Sequence, residues 1–559
     1  PVEPDHDSAA HHAKLEPHHS FPTILIRTPY GRHNLGPAWA QVFAERGYAV
    51  VLQDTRGRFG SGGDFFPVKH EINDGGETIE WIQKQPWCNG KLALFGVSYL
   101  GLTTYAAAGS KAGHRVDAIM PVLSSASTYS LLYHSGSGSF AMDLVLRWLW
   151  LAVKLLNSVS IYKFWIPGCQ GELNTAFMDA PLATQDEKLI GKRLDFLQEA
   201  IRSTDVNDEF WHDKNVLCDL ASPSRPATHI VGGWHDFFIR QAFQDFELAR
   251  SAKTARPARL TVGRWRHWEV MAYANPSLKL AIEFFDEHLR GDGASGADLE
   301  GSGRAGGEPS ITVTVLGSSP TRWLGMQTWP PREAGQCLYE LGKLRAGQPR
   351  RADGRYGYTY DPSDPTPAVG GPSFDPHNSG CVEQSALEAR PDVLKFDSLI
   401  QAHSLYVCGD IYVDLHASSS NPHTDFFIKL CDVEAESSKS FNVVECITRL
   451  GPDDWDEVER EGSEEWFHVR RRIKVGPTAC VFKTGHRFRL QISGGAHPLY
   501  MRNFGTGHPI AEAVETRSAE HRIADDTKLI LPVLTHDDID ALTVWHPAYP
   551  HHVLDHQHA

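Results

Sequence analysis

A serine set between a strand pattern and a helix pattern is the group in this sequence whose surroundings most clearly point to chemistry. Leu92-Ala93-Leu94-Phe95 reads as a strand, Gly96-Val97-Ser98-Tyr99-Leu100-Gly101 follows it, and Leu102 to Ala108 continues as a helix. A turn of that kind forces the serine into strained backbone space, needs small neighbours, and lifts the hydroxyl above the sheet edge. The helix N-terminus behind it favours negative charge. Leu100 stands where the usual five-residue pattern has its second glycine, which here comes one place later at Gly101. A serine needs a base and an orienting acid, in the chain order Ser, then Asp or Glu, then His. Val231-Gly232-Gly233-Trp234-His235-Asp236 and Leu260-Thr261-Val262-Gly263-Arg264-Trp265-Arg266-His267 are later strand ends that supply them. A capping aspartate and a surface-loop histidine are the plain alternatives for each taken singly. Order and strand context together favour a triad of Ser98, Asp236 and His267, all at carboxyl ends of strands. An oxyanion also needs preorganised donors. The backbone N–H of Tyr99 is one by the geometry of the turn. No HGGG-like motif is present, so the phenol of Tyr30, in Arg27-Thr28-Pro29-Tyr30-Gly31, is the candidate for the second; a core or rim tyrosine is its alternative.

These groups require a sheet to hold them. Thr23 to Ile26 and Tyr48 to Leu52 are short β-rich runs, with a helix expected over Pro37 to Arg46 between them. An amphipathic stretch, Gly75 to Gln85, precedes the serine-bearing strand. The rhythm resumes at His229 to Val231 and Arg259 to Val262 and ends in a helix over Leu278 to Leu289. Alternating strands and helices predict a mostly parallel sheet covered on its faces. Between about Ser124 and Ser222 the strand rhythm stops and large apolar residues crowd a helical pattern, which reads as an insertion lying over the sheet as a cap. Gly291 to Gly307 is a glycine-rich linker. Beyond it the period becomes two, at Ile311 to Val315, within Ser404 to His416 and within His486 to Ser493, so an all-β sandwich or jelly roll is expected.

Composition narrows the partners. The 559 residues are too many for one ordinary domain. Asp plus Glu number 69 against 54 Lys plus Arg, a formal charge of −15, which argues against nucleic acid or an anionic membrane as the main partner. The most apolar stretch, Leu144 to Leu156, is broken by Arg147 and Lys154 and cannot span a bilayer. Nine scattered cysteines without a C-x-x-C pair fit reduced thiols and a cytoplasmic protein.

The sequence resembles the cocaine-esterase-like (CocE/NonD) serine hydrolases, relatives of the X-prolyl dipeptidyl peptidases and α-amino-acid ester hydrolases. The resemblance rests on Arg27-Thr28-Pro29-Tyr30, on Gln53 to Ser61, on Gln85 to Gly90 running into the serine turn, on Gly232 to Asp236 and on the loop ending at His267. It continues through Tyr360-Asp361-Pro362, Asp392-Val393-Leu394, Thr424-Asp425-Phe426 and Gly485-His486-Arg487. It implies an α/β class chain: an α/β-hydrolase core over residues 1–123 and 222–300, a helical cap over 124–221, and a C-terminal all-β jelly roll over 310–559. It also implies Ser98 as nucleophile, His267 as base, Asp236 as its partner, and an oxyanion hole of the Tyr30 hydroxyl with the Tyr99 amide. The family's elbow carries its second glycine one place later, as here. Two departures stand out: residues 1–21 lack the family's opening strands, and the loop Gly263 to Trp268 carries bulky Trp and Arg that would alter the rim of the site.

The expected reaction is cleavage of an ester or related acyl bond through an acyl-enzyme, with a small-molecule acyl substrate and no metal or organic cofactor. Trp148, Trp150, Trp165, Phe237 and Trp268 are the expected pocket residues. An acyltransferase or lactone-forming cyclase would use the same intermediate with another acceptor. A non-catalytic protein whose β domain binds carbohydrate is the competing reading of another class. Relatives are often dimers or larger, which leaves a homodimer open. Gly301 to Gly306 fits G-x-G-x-x-G but follows no strand, and the terminal groups His11, His12, His18, His19 and His551, His552, His556, His558 read as tails rather than metal sites. Asp54, Arg56 and Arg58 read as a structural turn.

Overall fold

The computed structural model describes residues 20–34, 36–134, 138–156, 158–212, 214–215, 217–271, 277–290, 309–461 and 464–544. The glycine-rich stretch 291–307, with its G-x-G-x-x-G, and both terminal histidine groups lie outside these residues.

Short apolar runs bounded by turn residues become parallel strands: β1 (Phe21–Thr28), β2 (Ala49–Asp54), β3 (Cys88–Val97), β4 (Ala118–Val122), β5 (Ala227–His235) and β6 (Ala258–Arg266). They lie in the order β2-β1-β3-β4-β5-β6, and all neighbouring pairs are parallel. Helices α1 (Gly36–Glu45), α2 (Glu71–Gln83) and α3 (Tyr99–Ala108) make the first crossovers. Every residue of β5 is buried, as expected for a strand covered on both faces. β4 is absent from the sequence reading because it carries Pro121, which argues against a central strand.

One expectation is corrected here. Ile311 to Val315, read as the opening of the β domain, instead forms β7 (Ile311–Thr314), which pairs in parallel with β6 and antiparallel with β8 (Trp323–Met326). The pair Thr543–Val544 then closes the far edge against β8, so residues past 310 complete the first, nine-stranded sheet. Alternating residue types show that a segment is extended but not which sheet it joins, and all four residues of β7 are buried.

Residues 129–211 form the cap, a set of short helices interrupting the chain between β4 and β5. Its principal helix, Met142–Leu149, runs on into a π-helical turn, Trp150–Leu155. The β domain is built of a five-stranded and a seven-stranded sheet, the latter including Lys528–Leu534 and Gly335–Glu340 as a branch off its main path. The joint with the hydrolase domain is a shared core: Trp234, Phe243 and Val313 belong to the same apolar cluster as Leu430, Val475 and Leu490 of the β domain. Arg240, on the helix Ile239–Ser251, donates from its guanidinium to the carbonyls of Glu445 (2.8 Å), Val475 and Lys474 (3.4 Å) across that joint. No helix among the described residues is long and apolar enough to cross a membrane.

Candidate active site

Ser98 sits between β3 and α3 with φ 60° and ψ −125°, a left-handed conformation that costs a non-glycine residue strain. The surrounding glycines are required by space. A Cβ on Gly96 would lie 2.2 Å from the Leu100 carbonyl oxygen, and one on Gly101 would lie 2.5 Å from the Ser124 Cβ. Position 100 meets no such limit, and Leu100 is fully buried. The turn is held by main-chain bonds: Ser98 N–H donates to the Val122 carbonyl (2.9 Å), and the Ser98 carbonyl accepts from Gly101 N–H (2.8 Å) and the Ser124 hydroxyl (3.0 Å).

The ends of β5 and β6 bring the other two groups to this hydroxyl. His267 Nε2 lies 3.0 Å from Ser98 Oγ, and His267 Nδ1 lies 2.6 Å from Asp236 Oδ2. The second Asp236 oxygen accepts from Phe238 N–H at 2.9 Å, which fixes the carboxylate plane. Both Asp236 and His267 are buried, as is most of Ser98. A Cβ on Gly233 would lie 2.4 Å from the Trp265 carbonyl oxygen, so this glycine lets β5 and β6 draw close where the two loops leave the sheet.

Tyr30 faces the same point from the loop after β1. Its backbone is pinned by Arg58 Nε donating to the Pro29 carbonyl (2.7 Å) and Asn34 Nδ2 to the Tyr30 carbonyl (2.6 Å). Trp148 Nε1 donates to the Tyr30 hydroxyl at 2.8 Å. An indole can only donate, so the phenol oxygen accepts there and its own proton is left for another partner. Ser98 is among its polar neighbours. Burial pushes the phenol up to about 12, so it stays a protonated donor in neutral water. The Tyr99 amide is in the first turn of α3, where backbone N–H groups have no partner within the helix. Its phenol is tied down elsewhere, donating to Glu71 Oε1 at 3.2 Å and accepting from Val68 N–H at 2.9 Å, and its ring stacks on Trp148.

The cavity against Ser98 is almost wholly apolar. Trp148 and Phe237 line it as expected, together with Leu102, Leu144, Val145, Phe210 and Phe374. Trp150, Trp165 and Trp268 do not. Trp150 is two places beyond Trp148 on a helical segment, which turns it to the opposite face; it is fully buried and donates to Glu172 Oε1 at 3.0 Å. Trp165 is half exposed and packs edge-on against Trp268. Trp268 donates from its indole to the Phe374 carbonyl at 2.8 Å, acting as a support behind the wall. Nor does the rest of that bulky loop reach the rim as expected: Trp265 is buried against Trp323 on the sheet side, and Arg266 pairs with Glu269.

Phe374 is the wall residue that sequence reasoning missed. It comes from the β domain and lies 5.4 Å from the His267 ring and 5.6 Å from Phe237. The cap grips both of its neighbours: Arg147 donates to Asp143 (2.7 Å), to Gln170 Oε1 (2.6 Å) and to Asp375 (3.0 Å), and Ser373 Oγ donates to Asp143 Oδ2 (3.2 Å). Nothing local in the sequence marks this loop, although it lies between two family-like stretches. The turn at Asp54, Arg56 and Arg58 is structural: Asp54 accepts from Arg32, Arg56 pairs with Asp74, and Arg58 also reaches the Ala152 carbonyl of the cap at 2.7 Å. Among the described residues no group of three or more His, Cys, Asp or Glu side chains is placed to hold a metal ion.

Comparison with known proteins bears on the fold and the family. Residues 15–269 match the family model of X-Pro dipeptidyl-peptidase (S15 family), and residues 304–528 match that of the X-Pro dipeptidyl-peptidase C-terminal non-catalytic domain. The sequence is 29% identical to cocaine esterase from Rhodococcus sp. (strain MB1 Bresler), over 92% of this chain and 94% of that protein. Two solved structures share the fold across 92% of each chain: an aminopeptidase from a marine sediment Thaumarchaeota archaeon, with a TM-score of 0.72 at 20% identity, and an α-amino acid ester hydrolase, with 0.69 at 22%. With both halves of the chain matched in order, the protein is similar to the cocaine-esterase-like serine hydrolases and to the S15 peptidases, and it is an enzyme of the serine esterase and hydrolase type.

Proposed function

We propose that the protein cleaves esters through a covalent acyl-enzyme on Ser98. The observation that carries this reading is the chain of contacts from Asp236 through His267 to Ser98, at 2.6 and 3.0 Å, beneath an apolar cavity. His267 Nε2 takes the Ser98 proton as Oγ attacks the carbonyl carbon. Charge then moves to the carbonyl oxygen, where the Tyr30 hydroxyl and the Tyr99 N–H donate to it. As the intermediate collapses, His267 returns the proton to the departing alkoxide and the acyl group remains on Ser98. A water molecule, deprotonated by His267, repeats the cycle and releases the acid. Asp236 fixes the imidazole tautomer and stabilises the imidazolium.

An ester is favoured over a peptide with a free amino terminus by the charge of the pocket. Lys214 is the charged residue in its lining, and it carries the same sign as an ammonium group. A neutral, apolar acyl group suits the remainder. The test is intact mass after incubation with a fluorophosphonate, comparing wild type with Ser98→Ala. One adduct on wild type and none on the variant is the expected result; an unlabelled, folded wild type would refute it. Adding a primary alcohol during turnover, and measuring the new ester, separates hydrolysis from acyl transfer.

A further inference from the structure

The compartment beside Ser98 has a volume of about 70 Å³. An engineered apolar cavity of about 150 Å³ is what benzene fills, so a straight acyl chain of more than a few carbons has no room inside. On the outer face of the cap lies a second, open groove of about 830 Å³, lined by Arg193, Arg202, Asp195 and Glu199 among others. Two side chains line both spaces, Phe210 and Lys214. Among the described residues only this pair stands in both linings, so here the acyl compartment and the outer groove share one wall.

The backbone beside this wall is fastened to the loop after β4. Thr128 N–H donates to the Asn215 carbonyl at 3.1 Å, the Thr128 hydroxyl donates to the Lys214 carbonyl, and Ser127 Oγ donates to Asn215 Oδ1 at 2.7 Å. The two side chains, by contrast, lean on each other: Lys214 Nζ donates to the Phe210 carbonyl at 2.9 Å and lies 4.8 Å from the Phe210 ring centre.

Resting on the proposed acylation of Ser98, we propose that Phe210 and Lys214 form a partition past which a medium-length straight acyl chain threads, its first carbons in the inner compartment and its far end in the solvated groove. The substrate class is then an ester of such a chain rather than of a short acid. The test is kcat/KM for p-nitrophenyl butyrate and octanoate in wild type, Phe210→Ala, Phe210→Trp and Lys214→Ala, with active sites counted by fluorophosphonate titration. The octanoate-to-butyrate ratio should rise about tenfold in Phe210→Ala, rise less in Lys214→Ala and fall about tenfold in Phe210→Trp. Phe210→Leu, with a smaller rise, serves if Phe210→Ala does not fold. A ratio constant to within about twofold across the set, with active sites intact, overturns the partition. A wild type that the fluorophosphonate does not label refutes the acylation of Ser98 itself, and the partition falls with it.

Discussion

Ser98, Asp236 and His267 form a floor in which every group stands at the end of a parallel strand and is held by main-chain or charged hydrogen bonds. The roof above them, made of Trp148, Phe237, Phe374 and Phe210, draws on the cap, the hydrolase domain and the β domain and is held largely by ring contacts. Directional bonds fix atoms to a few tenths of an ångström, whereas apolar contacts fix volume and permit repacking. On the proposed acylation of Ser98, the floor would set which reaction occurs and the roof which acyl group is admitted.

Substitutions in the floor should act on kcat by large factors, and those in the roof on selectivity by small ones. Ser98→Ala should lower kcat/KM by about 10⁴-fold or more while the thermal transition stays cooperative. Gly96→Ala should be as damaging for a different reason, since its Cβ would meet the Leu100 carbonyl oxygen at 2.2 Å and force the elbow open; both activity and melting temperature fall. Tyr30→Phe should cost about 10²-fold in kcat with little change in KM, as loss of one oxyanion donor does. Trp148→Phe should cost about tenfold, and that cost should vanish in the Tyr30→Phe background, because the indole acts by orienting the phenol. Additive losses would show that Trp148 works independently. In the roof, Arg147→Met should raise KM for apolar esters about threefold to tenfold with kcat less affected, since it frees the residues flanking Phe374.

The floor was legible in the sequence because its signals are local. The serine turn needs glycine at particular places, the two loops needed only a strand before them, and their order along the chain was sufficient. Tyr30 was different: its residues left a core or rim tyrosine equally open, and the oxyanion role came from the family resemblance. The roof was legible only in part: Trp148 and Phe237 were expected, whereas Phe374 meets the site through domain packing and no neighbour in sequence marks it. Trp150, Trp165 and Trp268 were read as wall residues on composition, yet composition does not say which face of its short helix each one takes. The strand β4 was hidden by Pro121, and β7 was placed in the other domain because alternation does not name a partner.

A smaller effect separates the two regions by pH. Asp245, on the helix beside β5, accepts from Ala126 N–H at 2.8 Å, and burial pushes its carboxyl from 3.8 up to about 7. The folded protein thus binds this proton more tightly than the unfolded chain, so its contribution to stability is full below pH 4 and is lost as the pH rises towards 7. Asp245→Asn should remove that decline, which melting temperatures measured from pH 4 to 8 would show; a parallel decline in the variant would assign it to other groups.

Across the joint Arg240 donates to the carbonyl oxygens of residues 445, 474 and 475. Those bonds read the main chain and so survive substitution of the exposed Lys474, whereas Val475 also packs in the shared core and the buried Glu445 pairs with Lys429. The strand carrying Lys474 can therefore change its outward side chain while the arginine keeps its hold on the β domain. The arginine itself has no such freedom, since a lysine would present a single point charge where three carbonyls need a fork.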